Sequence, residues 1–471
     1  MLVFVRRHQC FALAPIALAG LAMLASAIVG VQARAGQSAS VRAEAPAPAN
    51  GASDAAAISA GGRFVAFWSD ATNLVAGRTP STGEVFVRDR VARKTELVSV
   101  STGGAQANEL VGFPAISANG RFVAFDSFAT NLLAGDSAGC YGWRSEEPCD
   151  QVWLRDRRAH STERVSVGSG GTQANDESFG PVISADGHFV AFYSFATNLV
   201  ADDTNFPGQN FLRDRVARTT ELFPVGNTGA WPGSDTIVRS ISADGRVVAF
   251  ESPASDLVAG DTNGTSDAFV YDRALATTTR VSVSSSGVQA NGVSGDPAIS
   301  ADGRFVAFTS DASNLVAGVP DTRHCTDFGV YHNCYDVFVR DLVRGTTKRV
   351  SLSRRGGEAN ADSWIGAVST NGRFVALASR ASNLVAGDTN HHEDVFVRDL
   401  TRGTTERVSV SNSGIPANSD SRSPAISADG RFVAFESWAS NLVAGDTNGK
   451  LDVFVRDRAT GTTTLVSSGR R

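Results

Sequence analysis

One phrase is written seven times along this chain of 471 residues, and that repetition constrains the fold more than any other feature. Its clearest copy is the last: Pro424-Ala-Ile-Ser-Ala-Asp-Gly-Arg-Phe-Val-Ala-Phe-Glu-Ser437, then Ser440-Asn-Leu-Val-Ala-Gly-Asp-Thr-Asn448, then Asp452-Val-Phe-Val-Arg-Asp457. Most copies close on Thr-Thr-x-Arg-Val-Ser-Val-Ser. With the Ile-Ser position as register, the copies start at Ile58, Ile116, Ile183, Ile241, Ile299, Val368 and Ile426. The spacing is 58 residues, lengthened by 9 in the second copy and by 11 in the fifth.

Each unit holds four strand candidates. The first is short and ends in an Ala-Asp-Gly-Arg turn. The second (432–435) and third (453–455) are apolar on both alternating faces, which a half-exposed sheet would not be. The fourth alternates, as in Arg407-Val-Ser-Val-Ser411. A four-stranded sheet cannot bury two apolar faces alone, but seven such sheets stacked radially cover both. The expected fold is therefore all-β, a seven-bladed β-propeller of four-stranded antiparallel blades. Of 27 Phe, 18 fall at three repeated positions (Phe432, Phe435 and Phe454 in the last copy), which fits a repeated core. A β-solenoid fits less well, because a 58-residue coil of four strands is too long.

The residues Ile-Ser-Ala-Asp-Gly-Arg-Phe-Val-Ala-Phe, followed by Asp-Val-Phe-Val-Arg-Asp, resemble the TolB-like (PD40, WD40-like) propeller repeat. The similarity covers all seven copies. Ile and Ala stand where that family shows Trp and Pro, and the N-terminal domain of TolB has no counterpart here. The envelope-complex role of TolB is therefore not implied.

Ahead of the repeats, Arg6 and Arg7 precede an uncharged, mostly apolar stretch from Phe11 to Val31, and Ala33-Arg34-Ala35 has the form of a cleavage site. Residues 1–35 read as a secretory signal peptide, with a membrane anchor as the alternative. The mature chain would then be periplasmic or extracellular, without a membrane span. Residues 36–57 read as a leader, with 38–43 as a degenerate closing strand, and 58–471 as the propeller. Net charge is −5, or −8 once three leader arginines are removed, and there is no basic run, which excludes a nucleic-acid binder.

Alternating strand direction puts the two tight connections of each unit at one end and the two long ones, with both insertions, at the other. The long-loop end is where binding is expected, for a protein or small ligand, by a monomer. The insertions hold Cys140 and Cys149, and Cys325 and Cys334, an even count in an exported chain, which predicts disulfides Cys140–Cys149 and Cys325–Cys334. Three loops gather hard oxygen donors: Asp261, Asn263 and Asp267; Asp388, Asn390 and Asp394; Asp446, Asn448 and Asp452. They suit either an Asx turn entering the third strand or Ca²⁺, although no cofactor is required. His391, His392 and Glu393 form no His-Glu-x-x-His pair, His188 replaces an arginine in a tight turn, and no Gly-x-Ser-x-Gly elbow occurs. The expected function is an exported, non-catalytic binding scaffold, with a Ca²⁺-binding envelope or adhesion module and a carbohydrate-active enzyme as alternatives.

Overall fold

A computed structural model describes residues 47–469, apart from 79–82, 136–148, 202–207, 225, 228–231, 318–323 and 328–329. Seven four-stranded antiparallel sheets follow one another, each with its strands in chain order. Blade 1 begins with Ser53–Ile58 and ends with Lys94–Leu97; blade 7 begins with Ser421–Ile426 and ends with Thr462–Leu465. Blades 2 to 6 begin at Ala115, Ser178, Ile237, Ser294 and Ser363. First strands of neighbouring blades touch one another round the ring, so they line its axis. The molecule is a seven-bladed propeller, and the described residues form strands and turns without a helix.

The two-faced strands have a direct cause. Along Phe432–Ser437, Val433 and Phe435 face blade 6, where they join Val395, Val397 and Val408. The alternate residue Ala434 faces blade 1 with Val453 and Val455 and meets Val65, Phe67 and Phe86. Seven such clusters fill the seven blade interfaces. Removing one fully buried Phe from such a cluster costs about 3–5 kcal/mol.

The short-turn end is tied by repeated polar contacts. Ala60 N–H donates to Ala118 O at 3.0 Å, and like bonds pass round the ring until Ala428 N–H donates to Ala60 O at 2.9 Å; between blades 5 and 6 the donor shifts by one residue, Asp302 N–H reaching Thr370 O at 3.4 Å. Gly430 is required in its turn: its φ is +74°, and a Cβ there would lie 2.1 Å from the Phe374 ring. The arginine after this glycine, Arg431, makes a two-pronged pair with Asp457 at 2.8 and 2.7 Å. That pairing holds the Asp457 carboxyl down at about 2. The next arginine, Arg458, lies over Phe374 of the preceding blade at 4.5 Å. In blade 3, His188 takes the arginine's place, with Nε2 2.7 Å from Asp214 and its ring stacked on Phe189 at 4.2 Å. His188 is thus part of the frame.

Closure uses the chain ends. In five blades a bridge such as Val283 to Gln289 folds the linker back after the fourth strand. In blade 7 the bridge joins Ser468 to Pro48, and Ala49 N–H donates to Ser467 O at 3.0 Å. Asn448 Nδ2 then reaches Ala49 O at 3.0 Å, as Asn263 Nδ2 reaches Ala290 O at 3.1 Å in blade 4. Pro48-Ala49-Asn50 therefore stands against blade 7 as the linker stands in those blades, and all four strands of blade 7 come from one stretch of chain. The signal peptide and residues 38–43 lie outside the described residues. Blade 5 carries an extra hairpin, His324–Asp327 with Val330–Asn333, closed by the disulfide Cys325–Cys334. Cys149 is also disulfide-bonded, and Cys140 lies outside the described residues. No helix among the described residues is long and apolar enough to cross a membrane.

Candidate functional site

The Asp-Thr-Asn loops do not form three equal sites. In blade 6, Arg407 from the fourth strand places Nη1 3.1 Å from Asp388 and 2.7 Å from Asp394. In blade 4, Arg280 stands 3.5 Å from Asp261 and 3.9 Å from Asp267. The cation among these carboxylates is an arginine of the same blade. The asparagines make Asx turns, with Asn263 Oδ1 accepting from Thr265 N–H at 3.1 Å and Asn448 Oδ1 from Lys450 N–H at 2.8 Å. Asn390 Nδ2 also donates to Asp394 Oδ2 at 2.8 Å and to Ala417 O at 3.1 Å, locking loop to linker.

Blade 7 differs by one residue. Leu465 occupies the position of Arg407, so Asp446 and Asp452 share a buried corner without that guanidinium. Burial, with Asp446 nearby, pushes Asp452 up to about 6, although Ser467 and Asn448 each donate to it at 2.6 Å. In blade 1 the signs are exchanged: Arg78 stands in the loop position of Asp446, and Leu97 stands in that of Arg407. The signal for these pairings was available as an arginine 13 residues beyond the third-strand acid, but only the fold brings the two together.

A second group of residues lies at the long-loop end, nearer the axis. Second strands read Phe-Val-Ala-Phe-x-Ser with few exceptions, and x is Trp68, Asp126, Tyr193, Glu251, Thr309, Ala378 or Glu436. The facing first-strand residue varies as widely: Asp54, Phe179, Ile237, Gly295, Trp364 and Arg422 pair with x in blades 1 and 3 to 7. The blades are near copies wherever they pack, and they diverge at this mouth. Some x residues also bridge blades. Glu436 accepts from Ala55 N–H at 2.7 Å, and Glu251 from Asp296 N–H at 2.6 Å, both donors sitting at φ +50° in first-strand bulges.

The mouth is divided in character. On blade 3, Phe179, Tyr193 and Phe195 form an aromatic cluster, with ring centres 5.1 and 5.2 Å apart. On blades 6, 7 and 1 the groups are charged. Arg422 lies 4.4 Å over Trp438 and 3.2 Å from Glu436; Arg380 lies 5.1 Å over Trp364 and 3.6 Å from Glu393. Burial pushes Glu393 up to about 7 despite Arg380, and burial together with Glu436 pushes Asp54 to about 7. In blade 2 the half-buried Asp126 and the buried Asp150 share a hydrogen bond; loss of solvation raises both, Asp126 to about 6. His392 Nδ1 lies 3.2 Å from Asp420, while Glu393 turns to Arg380, so His391, His392 and Glu393 do not converge on one point.

No protein-family model and no curated protein matches the chain. Solved structures do. A prolyl endopeptidase matches with a TM-score of 0.51 at 11% identity, over 88% of this chain and 49% of its own. The β-propeller domain of the Trilobed protease from Pyrococcus furiosus matches with a TM-score of 0.49 at 9% identity, over 89% and 99%. TolB from Acinetobacter baumannii matches with a TM-score of 0.37 at 15% identity, over 92% and 87%.

The chain spans about half the length of the acylaminoacyl peptidase and prolyl endopeptidase structures it matches. At these identities the likeness is one of fold. The expectation of a non-catalytic scaffold is corrected here: a structure of this fold is a prolyl endopeptidase, so the fold does not set binding modules apart from enzymes.

Proposed function

We propose that the chain is exported and that the long-loop mouth of its ring is a ligand-binding site. The observation that carries this is the pattern of divergence among seven copies of one blade. Packing fixes the Val, Ala, Phe and Ser positions of the second strand, while x, its first-strand partner and the residue after Ser are free to differ and do. A position released from the repeat in every blade, at the end where loops are long, is where a scaffold presents chemistry. Export is supported by the disulfide Cys325–Cys334, since such bonds persist in oxidising compartments.

The test compares retention of envelope components by three immobilised forms: the wild type, a mouth variant (Arg422→Ala with Trp438→Ala) and a short-turn variant (Val216→Ser). Val216 is exposed at the opposite end and serves as control. A partner retained by the wild type and the control but lost by the mouth variant supports the proposal. Equal retention by all three refutes it.

A further inference from the structure

We propose that the base of the blade 5 hairpin becomes a zinc site when its disulfide is reduced, with Cys325, Cys334, His332 and Asp362 as the four ligands. Among the described residues, only Cys325, Cys334 and Asp362 bring three metal-suited side chains together, their ligand atoms all within 4.8 Å of one another. His332 Nε2 lies 3.9 Å from Asp362 Oδ1. Neither ring nitrogen of His332 has a hydrogen-bond partner, although its side chain is only 17% exposed. An imidazole held out of water without partners is costly, and its neutral form is a zinc ligand.

The hairpin aligns these groups. Cys325 and His332 are cross-strand partners, so both side chains stand on one face, and Cys334 follows His332 two residues on. Both hairpin strands are additional to the four of the blade, so the ring does not need them for its packing. Asp362 comes from the linker into blade 6, one residue before Ser363–Val368, and its Oδ1 accepts from Tyr335 N–H at 2.8 Å. Asn333 Nδ2 donates to Asp311 O at 3.2 Å, and Ser363 N–H donates to Tyr335 O at 2.8 Å. These bonds tie the hairpin to its blade independently of the disulfide.

Donor type and spacing select the ion. Donors on a tetrahedral zinc stand about 3.3–3.8 Å apart, so shifts of about 1 Å bring these atoms into place. Two thiolates, an imidazole and a carboxylate suit Zn²⁺, whereas Ca²⁺ and Mg²⁺ take oxygen donors. The oxidised pair cannot serve, because the thiolate is the ligand and each sulfur is bonded to the other. A dithiol reductant passes two electrons and two protons to Cys325–Cys334 and leaves as its own disulfide. Zn²⁺ then displaces the two thiol protons. A disulfide oxidant reverses both steps and releases the ion, so zinc is held only where a reductant reaches the chain. Half-buried Cys325 and His332 give a single ion its way in.

The experiment reduces the full chain with dithiothreitol, removes the reductant anaerobically and titrates Co²⁺, a spectroscopic stand-in that Zn²⁺ then displaces. The expected result is the charge-transfer and visible bands of a tetrahedral, thiolate-bound Co²⁺, absent from the oxidised chain. The triple variant Cys10→Ser, Cys140→Ser and Cys149→Ser should keep these bands. Reduction opens every disulfide of the wild type as well, so that variant differs from it in thiol chemistry alone. In the triple background, Cys325→Ser should abolish the bands, while His332→Ala and Asp362→Asn should each weaken binding by at least about tenfold. Melting of the metal-free forms, followed by circular dichroism, should be the same for His332→Ala and its parent, which separates a lost ligand from a lost fold. Loss of binding in the triple variant overturns the proposal, as does unchanged affinity in His332→Ala or Asp362→Asn. Equal uptake by the oxidised chain, or none by the reduced one, also overturns it.

Discussion

Replacing Leu465 by arginine should stabilise this protein at neutral pH and remove part of its pH dependence. The corresponding side chain in blade 6, Arg407, neutralises Asp388 and Asp394, whereas in blade 7 burial leaves Asp452 at about 6. An ordinary aspartate titrates near 3.8, so the native state holds this proton more tightly than the unfolded chain does. The sign follows: stability from this group is largest below the unfolded value, falls as pH rises from about 4 to about 6, and is gone by pH 7. Raising this carboxyl from near 3.8 to about 6 corresponds to roughly 3 kcal/mol, of which about 1 kcal/mol is recovered between pH 7 and pH 5.

A guanidinium at position 465 should pull Asp452 down and abolish that recovery. Urea unfolding at pH 7 and pH 5 checks it, because any packing lost with the leucine is the same at both values. Expected is a Leu465→Arg gain larger at pH 7 than at pH 5 by about 1 kcal/mol, with Asp452→Asn behaving similarly. An effect of equal size at the two pH values would sink the argument.

Other expectations concern the rest of the frame. Arg407→Leu leaves Asp388 and Asp394 without their cation and should cost about 3–5 kcal/mol by denaturant unfolding, partly rescued by adding Asp394→Asn; an unchanged midpoint would contradict the pairing. Cys325→Ser with Cys334→Ser opens a ten-residue loop and should cost about 2–3 kcal/mol, measured against the oxidised parent. Because Arg280 and Arg407 already sit among the loop carboxylates, millimolar calcium or its chelation should not move the melting temperature; a rise with calcium would locate a cation in one of the loops, with blade 7 the first to check.

Much of this molecule was legible in one dimension. Phe432-Val-Ala-Phe435 and Val453-Phe-Val455, repeated seven times, require a structure that covers both faces of every sheet, and a ring of blades does so. The Cys325–Cys334 pair could be read because its partners lie close in sequence. The Asp-Thr-Asn loops were legible as turns but ambiguous as metal sites, because the neutralising arginine comes from another strand. Pro48-Ala-Asn50 carried a visible echo of Gln289-Ala-Asn291, yet its bridge to Ser468 of blade 7 appeared only in the folded ring.

The long-loop end could be expected to bind, but which charges meet at its mouth was not legible. Glu436 and Ala55 are 381 residues apart and bond directly, while Asp54, Glu393 and Arg422 meet from three blades. Local pattern determines what each strand is, since period and burial act over a few residues. Which charges share a buried corner depends on closing the ring, and burial then changes their proton affinities. The sequence by itself determined the blade and its copy number; only the tertiary structure decided which acids found a cation and which did not.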